Sequence, residues 1–467
     1  MRPLLGLRRA ACVITFALGA LGNAGCAGHE VRVRDSLAAL DRGSMEQAVA
    51  ALDRELGVKS PGEIPPVKQD EALLLLDRGS IHLAMGKYEQ ASRDLGAADQ
   101  AIEVLDLSTS KAADLGRYVF SDDAGAYKAP AYEKLLLNTL NMLSYLARHD
   151  LNGARVEARR LVVMQKYIES LGDEGALLGL GSYLAGFTYE KSTQRDEALL
   201  HYEEALAYAR YKSLRDPLRV LTRGQKTTIH EAVDALVEGA EPLAPVEETG
   251  EAELLVVVGF GRVPPKTPVR IPIGMAMQIV GHELSPMERR EVDSLVLQGA
   301  VAWINYPTLG QGRGGYETPK ASIGEEILPL EQALDVEGEV RSAWHKREGT
   351  LVLAAITRLL ARTAASVAVA GATAAGINAA QDDRQRRDGS AEAVGMLLGF
   401  ATSLTMSALD TPDTRSWSTL PARIAITRTR VPAGKHAVTL EVRGQRRTFD
   451  VKVDAGGWAL VPFFVLR

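Results

Sequence analysis

The eight histidines are the first place to look for chemistry: His29, His82, His149, His201, His230, His282, His345 and His436. No two lie within five residues of each other, so no HExxH or comparable helical metal pair exists, and His282-Glu283 stands alone. There is no GxSxG nucleophile elbow and no Walker loop. Gly310-Gln311-Gly312-Arg313-Gly314-Gly315 has the spacing of a dinucleotide fingerprint, but Pro307 interrupts the strand before it. The following Tyr316-Glu317-Thr318-Pro319 opens no helix to face a pyrophosphate, so the segment reads as a loop. Its single Arg313 is too little for an arginine-glycine RNA-binding segment. Two cysteines exclude a disulfide scaffold or a thiolate cluster, and a net charge of −5 argues against a general nucleic-acid binder. No cofactor, metal or catalytic set is expected. A dispersed carboxylate pair leaves an unrecognised hydrolase as the third function class.

The cysteine with a chemical context is Cys26. Arg2, Arg8 and Arg9 form a positive n-region, and Ala10 to Leu21 is an apolar run too short to span a bilayer. Small residues then lead to Ala24-Gly25-Cys26. A cysteine so placed resembles a lipobox, where the thiol is acylated and becomes the new N-terminus. Asn23 stands where that pattern prefers leucine, and cleavage by ordinary signal peptidase near Gly28 is the alternative. Cys12, inside the signal segment 1–26, would be removed by cleavage before Cys26, keeping one thiol at the mature start. Several acyl chains anchor firmly. Ala27, rather than an aspartate, follows the cysteine; by resemblance to Gram-negative lipoproteins this implies the outer membrane, facing the periplasm.

The elements that would position any site divide the chain in two. Residues 30–240 have helical periodicity with few breaks. Leu75, Gly79, Leu83, Gly86, Tyr88, Ala91, Leu95 and Ala98 follow the order of a tetratricopeptide (TPR) hairpin, in which small residues let two helices approach. Alignment on the equivalent alanine suggests further units at Ala48, Ala154 and Ala198, with irregular spacing that implies insertions. The stretch 106–133, with Tyr127 and Tyr132-Glu133, reads as a long ordered loop. A TPR stack binds a peptide or helix on its concave face. Here the groove positions are Asp77 and Ser80 in one unit and Tyr183, Phe187, Glu190 and Lys191 in another. Tyr183 and Phe187 at helical spacing are equally core residues between hairpins.

Beyond a Pro- and Glu-rich linker at Glu241–Glu251, the region 252–467 reads as strands with a helical insertion at about 346–410. Leu254 to Val258, Val269 to Ile273 and Val301 to Tyr306 are strands, and Arg423 to Thr429 alternates. His436 to Val442, Arg447 to Val453 and Trp458 to Val465 read as a hairpin series. The fold class is α+β: an N-terminal TPR-like array, then an antiparallel β domain with an inserted Ala/Gly-rich helical hairpin. In that hairpin Ala364, Ala368, Ala372 and Gly376 lie on one helix face, and Gly395, Gly399, Ser403 and Ser407 on another. Such stripes let backbones meet closely, inside the domain, between copies in a homo-oligomer, or in a membrane. Arg415 and Trp417, in Asp413-Thr-Arg-Ser-Trp-Ser-Thr-Leu-Pro421, would clamp a partner by a cation–π contact or fasten an element onto the sheet.

The order of features resembles a family of uncharacterised TPR-containing bacterial outer-membrane lipoproteins. The features are the lipobox, the repeats, the Tyr127…Tyr132-Glu133 segment, Gly259-Phe-Gly-Arg-Val-Pro-Pro-Lys266, the Ala/Gly-rich hairpin and Arg415-Ser-Trp-Ser-Thr-Leu-Pro421. The resemblance spans nearly the whole chain, and it implies an envelope protein, with cell-wall assembly as one setting. The leading expectation is a lipid-anchored, non-enzymatic scaffold that binds an envelope protein or peptide. The alternative is a membrane-active or secretion component that uses 363–409.

Overall fold

A computed structural model of the chain describes residues 28–60, 63–67, 71–108, 127–170, 178–224, 231–297, 303–313, 315, 317–380 and 410–467. Among the described residues eight helices come first, in four antiparallel pairs: α1 (His29–Asp41) with α2 (Met45–Glu55), α3 (Glu71–Ala84) with α4 (Tyr88–Ser108), α5 (Ala131–Leu146) with α6 (Leu151–Ser170), and α7 (Leu178–Lys191) with α8 (Arg195–Tyr208). Ser44 caps α2 by accepting from the Gln47 amide. Gly43 and Gly86 close the first two turns with φ of 81° and 76°, a backbone region that glycine enters without steric cost. Ala48, Ala91, Ala154 and Ala198 each lie on the second helix of a pair, and each is wholly buried. A side chain larger than a methyl group there would force the pair apart. Short helices α9 (Arg215–Leu221), α10 (Glu231–Val237) and α11 (Val246–Thr249) lead into the strands.

The strand half begins with β1 (Glu251–Phe260), β2 (Lys266–Pro272), α12 (Ile273–Val280), α13 (Pro286–Leu297), β3 (Trp303–Leu309), β4 (Lys320–Ile323), β5 (Glu326–Leu328) and β6 (Glu331–Asp335). A 45-residue helix, α14 (Val336–Ala380), follows. The chain ends with β7 (Arg423–Pro432), β8 (Gly434–Val442), β9 (Gln445–Val453) and β10 (Trp458–Val465). One four-stranded sheet has the order β10-β1-β7-β6 and the other β5-β4-β8-β9, while β2 and β3 form a separate ribbon.

The expectation of an antiparallel domain needs one correction. β1 is antiparallel to β7 but parallel to β10, with Leu255 opposite Leu460. β10 therefore does not continue the β8–β9 hairpin; it crosses to the other sheet. Alternation explains why. Leu460 and Phe464 face the helical array, whereas Val461, Phe463 and Val465 face the second sheet. β1 divides in the same way: Leu255 and Val257 join the array core, and Leu254, Val256 and Val258 join the core between the sheets. Burial on both faces is the reason for its unbroken apolar run.

Three further expectations change. Tyr132 and Glu133 lie on the first turn of α5 rather than in a loop, and residues 109–126 lie outside those described. The helical insertion starts at Val336, ten residues before its expected place at 346. Its first turns join the array core through Val336 and Val340, and its next part packs with α12, α13 and the β2–β3 ribbon around Ile273, Ala276, Val280, Ile304, Val352 and Ile356. Arg358 and Arg362, buried on α14, face Asp410 at 3.7 and 2.7 Å where the chain returns. Of the two small-residue stripes, Ala364 and Ala368 are exposed. The side chains of Ala372 and Gly376, and all of Gly395, Gly399, Ser403, Ser407 and Cys26, lie outside the described residues. No described helix is long and apolar enough to cross a membrane.

Candidate functional site

All six groove positions lie where the array meets the strands, and the chain itself covers them. On α3, which is buried on every side from Ala72 to Ala84, Asp77 and Ser80 face the segment 413–421. Asp77 Oδ1 accepts from the Thr419 amide and hydroxyl, both at 2.9 Å. Ser80 Oγ accepts from the Trp417 indole Nε1 at 2.9 Å. From α5, Glu133 Oε1 accepts from the Trp417 amide at 3.0 Å, and its other oxygen accepts from the Tyr127 hydroxyl. Trp417 is wholly buried. A segment of irregular backbone, turned at Ser418-Thr419, thus lies in the array, with its backbone and its aromatic side chain both hydrogen-bonded.

Arg415 and Trp417, expected to clamp a partner or fasten an element, are both buried within the chain. The Arg415 guanidinium lies 5.7 Å from the Tyr127 ring and pairs with Asp413 at 2.8 Å, and Lys266 Nζ donates to its carbonyl at 2.9 Å. The segment that they belong to is held both by the helices and, through Lys266 and the Val263 amide, by the strand half.

A buried acid–base pair lies beside this strap. His29 Nε2 is 3.7 Å from Asp77 Oδ2, and neither atom has a hydrogen-bond partner. Burial disfavours charge on both, pushing Asp77 up to about 7 and His29 down to about 3. Burial also raises Glu133, against the pull of its hydrogen bonds from Trp417 and Tyr127.

The second group joins α7 to the sheet. Arg428 on β7 donates to Glu190 at 2.5 Å, to Glu253 on β1 at 2.7 Å and to the Tyr202 hydroxyl at 2.9 Å. Lys191 pairs with Glu190 at 2.9 Å and also with Glu253. Burial works against ionised Glu190, but Arg428 and then Lys191 overcome it and hold the carboxyl below its ordinary range. Phe187 packs edge-on to Trp458 at 5.2 Å, with Arg428 4.9 Å above its ring. Tyr183 is boxed by Tyr202 and Tyr211 and shares a hydrogen bond with Ser213. Both aromatics are core residues at this junction. A third tie is Arg262, buried, which donates to Asp41 at the end of α1 at 2.6 Å and to the Leu466 carbonyl at 2.7 Å.

The sequence reading identified α3 and α7 as the polar inner face but missed His29, Glu133, Glu253, Arg262 and Arg428. The polar run Thr427-Arg428-Thr429-Arg430 gives no local signal that one of its arginines is buried; only the opposing Glu190 on another element does. Chemically, these groups neutralise one another across a junction. Among the described residues no three His, Cys, Asp or Glu side chains gather as a metal site. No protein-family model matches the chain, and neither a curated protein nor a solved structure matches it.

Proposed function

We propose that this chain is a non-catalytic scaffold of the bacterial cell envelope, acylated at Cys26 and held on the periplasmic side of the outer membrane. The helix pairs act as divergent TPR-like repeats. The observation that best supports this reading is the lodging of Ser416–Leu420 in the array: its inner face holds a non-helical peptide segment, turned at Ser418-Thr419, here from its own chain. With that face filled, contact with an envelope protein passes to the outer surface. On α6, Val156, Val163 and Tyr167 form an exposed stripe, 48%, 68% and 50% accessible. A photo-crosslinker at Val163, used in living cells, is expected to capture a protein that Val156→Asp/Val163→Asp no longer captures at unchanged melting temperature. Adducts to lipid alone, or none, would refute the scaffold reading. Cys26→Ala is expected to move the chain from the membrane to the soluble fraction; unchanged fractionation would refute the anchor.

The exposed Ala364 and Ala368 beyond buried Arg362 favour a second reading. In it, the small-residue stripe of α14 meets another copy or the bilayer, as in a membrane-active or secretion component. Alkaline-carbonate extraction of Cys26→Ala separates the two: a fully soluble variant excludes insertion.

A further inference from the structure

An open cavity of about 560 Å³ lies where the turns of the first two helix pairs meet the ends of β9 and β10. Of the polar contacts between array and strands described above, only the one at the Leu466 carbonyl involves a lining residue. Its size falls within the range of small-molecule sites. Its inner wall is apolar, with Met45 and Met85 from the helical turns and Phe463 from β10. Methionine pairs of this kind adapt to flexible apolar ligands. Its rim carries Lys87, Arg446, Arg447 and Arg467, opposed in the lining by a single carboxylate, Glu46. Lys87, Arg446 and Arg447 are exposed and form no ion pair among the described residues. A basic rim over an apolar wall is unexpected on a chain with net charge −5. It marks a place where an anionic head and a hydrocarbon tail are both accommodated.

β10 is the outer strand of its sheet, so an added peptide strand is the competing occupant. Pro462 argues against it: with no N–H it interrupts any ladder along this edge, leaving too few donors for strand addition. We propose that this cavity binds a single-chain anionic amphiphile, with its carboxylate or phosphate head at Arg446 and Arg447 and its alkyl chain against Met45, Met85 and Phe463. The ligand enters as a monomer from solution rather than as part of a bilayer. The inference stands apart from the scaffold reading, because it needs neither the anchor nor a protein partner.

The test is calorimetric titration of the full chain with dodecyl phosphate and with laurate, each below its micelle concentration. Saturable binding of one molecule is expected, weakening with added salt. Arg446→Glu/Arg447→Glu, at two exposed positions of the lining, should weaken it by roughly tenfold or more. Met85→Trp, which fills the cavity, should weaken it comparably, and each variant should melt where the parent does. Several results would overturn the proposal: no saturable binding; equal affinity for inorganic phosphate or for neutral dodecyl maltoside; tighter binding of a hexaglutamate peptide; binding only to vesicles of anionic phospholipid; or unchanged affinity in the charge-reversal variant.

Discussion

At Arg428 a full positive charge lies in the interior, held by Glu190 and Glu253. Such a triad adds little net stability over an apolar substitute, but removing one partner leaves a buried charge uncompensated. Glu190→Ala should therefore destabilise the fold by about 3–5 kcal/mol in urea titration. A loss below about 1 kcal/mol would mean that the pair is solvated. The His29–Asp77 pair makes a pH prediction. The folded value of Asp77, about 7, lies above its ordinary 3.8, so its contribution to stability is largest at low pH and is lost as pH rises towards about 7. His29 acts oppositely: its folded value, about 3, lies below 6.5, so its contribution rises with pH between those values. The two offset each other in mildly acidic solution. Asp77→Asn keeps an acceptor for Thr419 and removes one side of the balance. Below about pH 6 the variant's stability should climb with pH, approaching about 1.4 kcal/mol per unit more steeply than the parent's. Parallel pH profiles would show that Asp77 is ionised throughout.

Among the elements, the strap 413–421 bears the greatest weight. Trp417 fills the space between α3 and α5 and satisfies its indole N–H there, so Trp417→Ala removes packing and strands Ser80. It should cost about 3–5 kcal/mol, whereas Trp417→Phe should lose mainly the hydrogen bond. If Trp417→Ala melts within a degree of the parent, the strap is only laid over the array. The strap also illustrates how much of the junction is legible in the sequence. Its composition marks it as unusual, and the hydrophobic period places α3, but nothing along the chain says that Asp77 and Thr419 meet, because they are 342 residues apart. The helix pairs were legible because their spacing is local: Gly186, for instance, sits where any Cβ would come within 2.5 Å of the Tyr202 ring. The strands α-helical neighbours α12 and α13 were less so, since a short apolar run such as Ile273–Val280 carries no clear period.

For the molecule as a whole, the array and the first sheet share one continuous core that includes Leu73, Tyr183, Leu255, Trp417, Ile426 and Phe464. Neither half can bury its inner face without the other. Heat unfolding followed by far-UV ellipticity, which reports the helices, and by tryptophan emission, which reports Trp303, Trp344, Trp417 and Trp458, all in the strand half, should give coincident transitions. Two separated transitions would mean that the array folds independently. The sequence by itself determined the division into a helical half and a strand half, the buried small residues in each helix pair and the lack of a recognisable catalytic motif, because these depend on side-chain type and short-range period. Only the tertiary structure decided that β10 runs parallel to β1, that the array's inner face is occupied by the chain's own strap, and that Arg428 is buried between two carboxylates. Those outcomes depend on which distant surfaces are complementary in shape and charge, and no local pattern encodes that pairing.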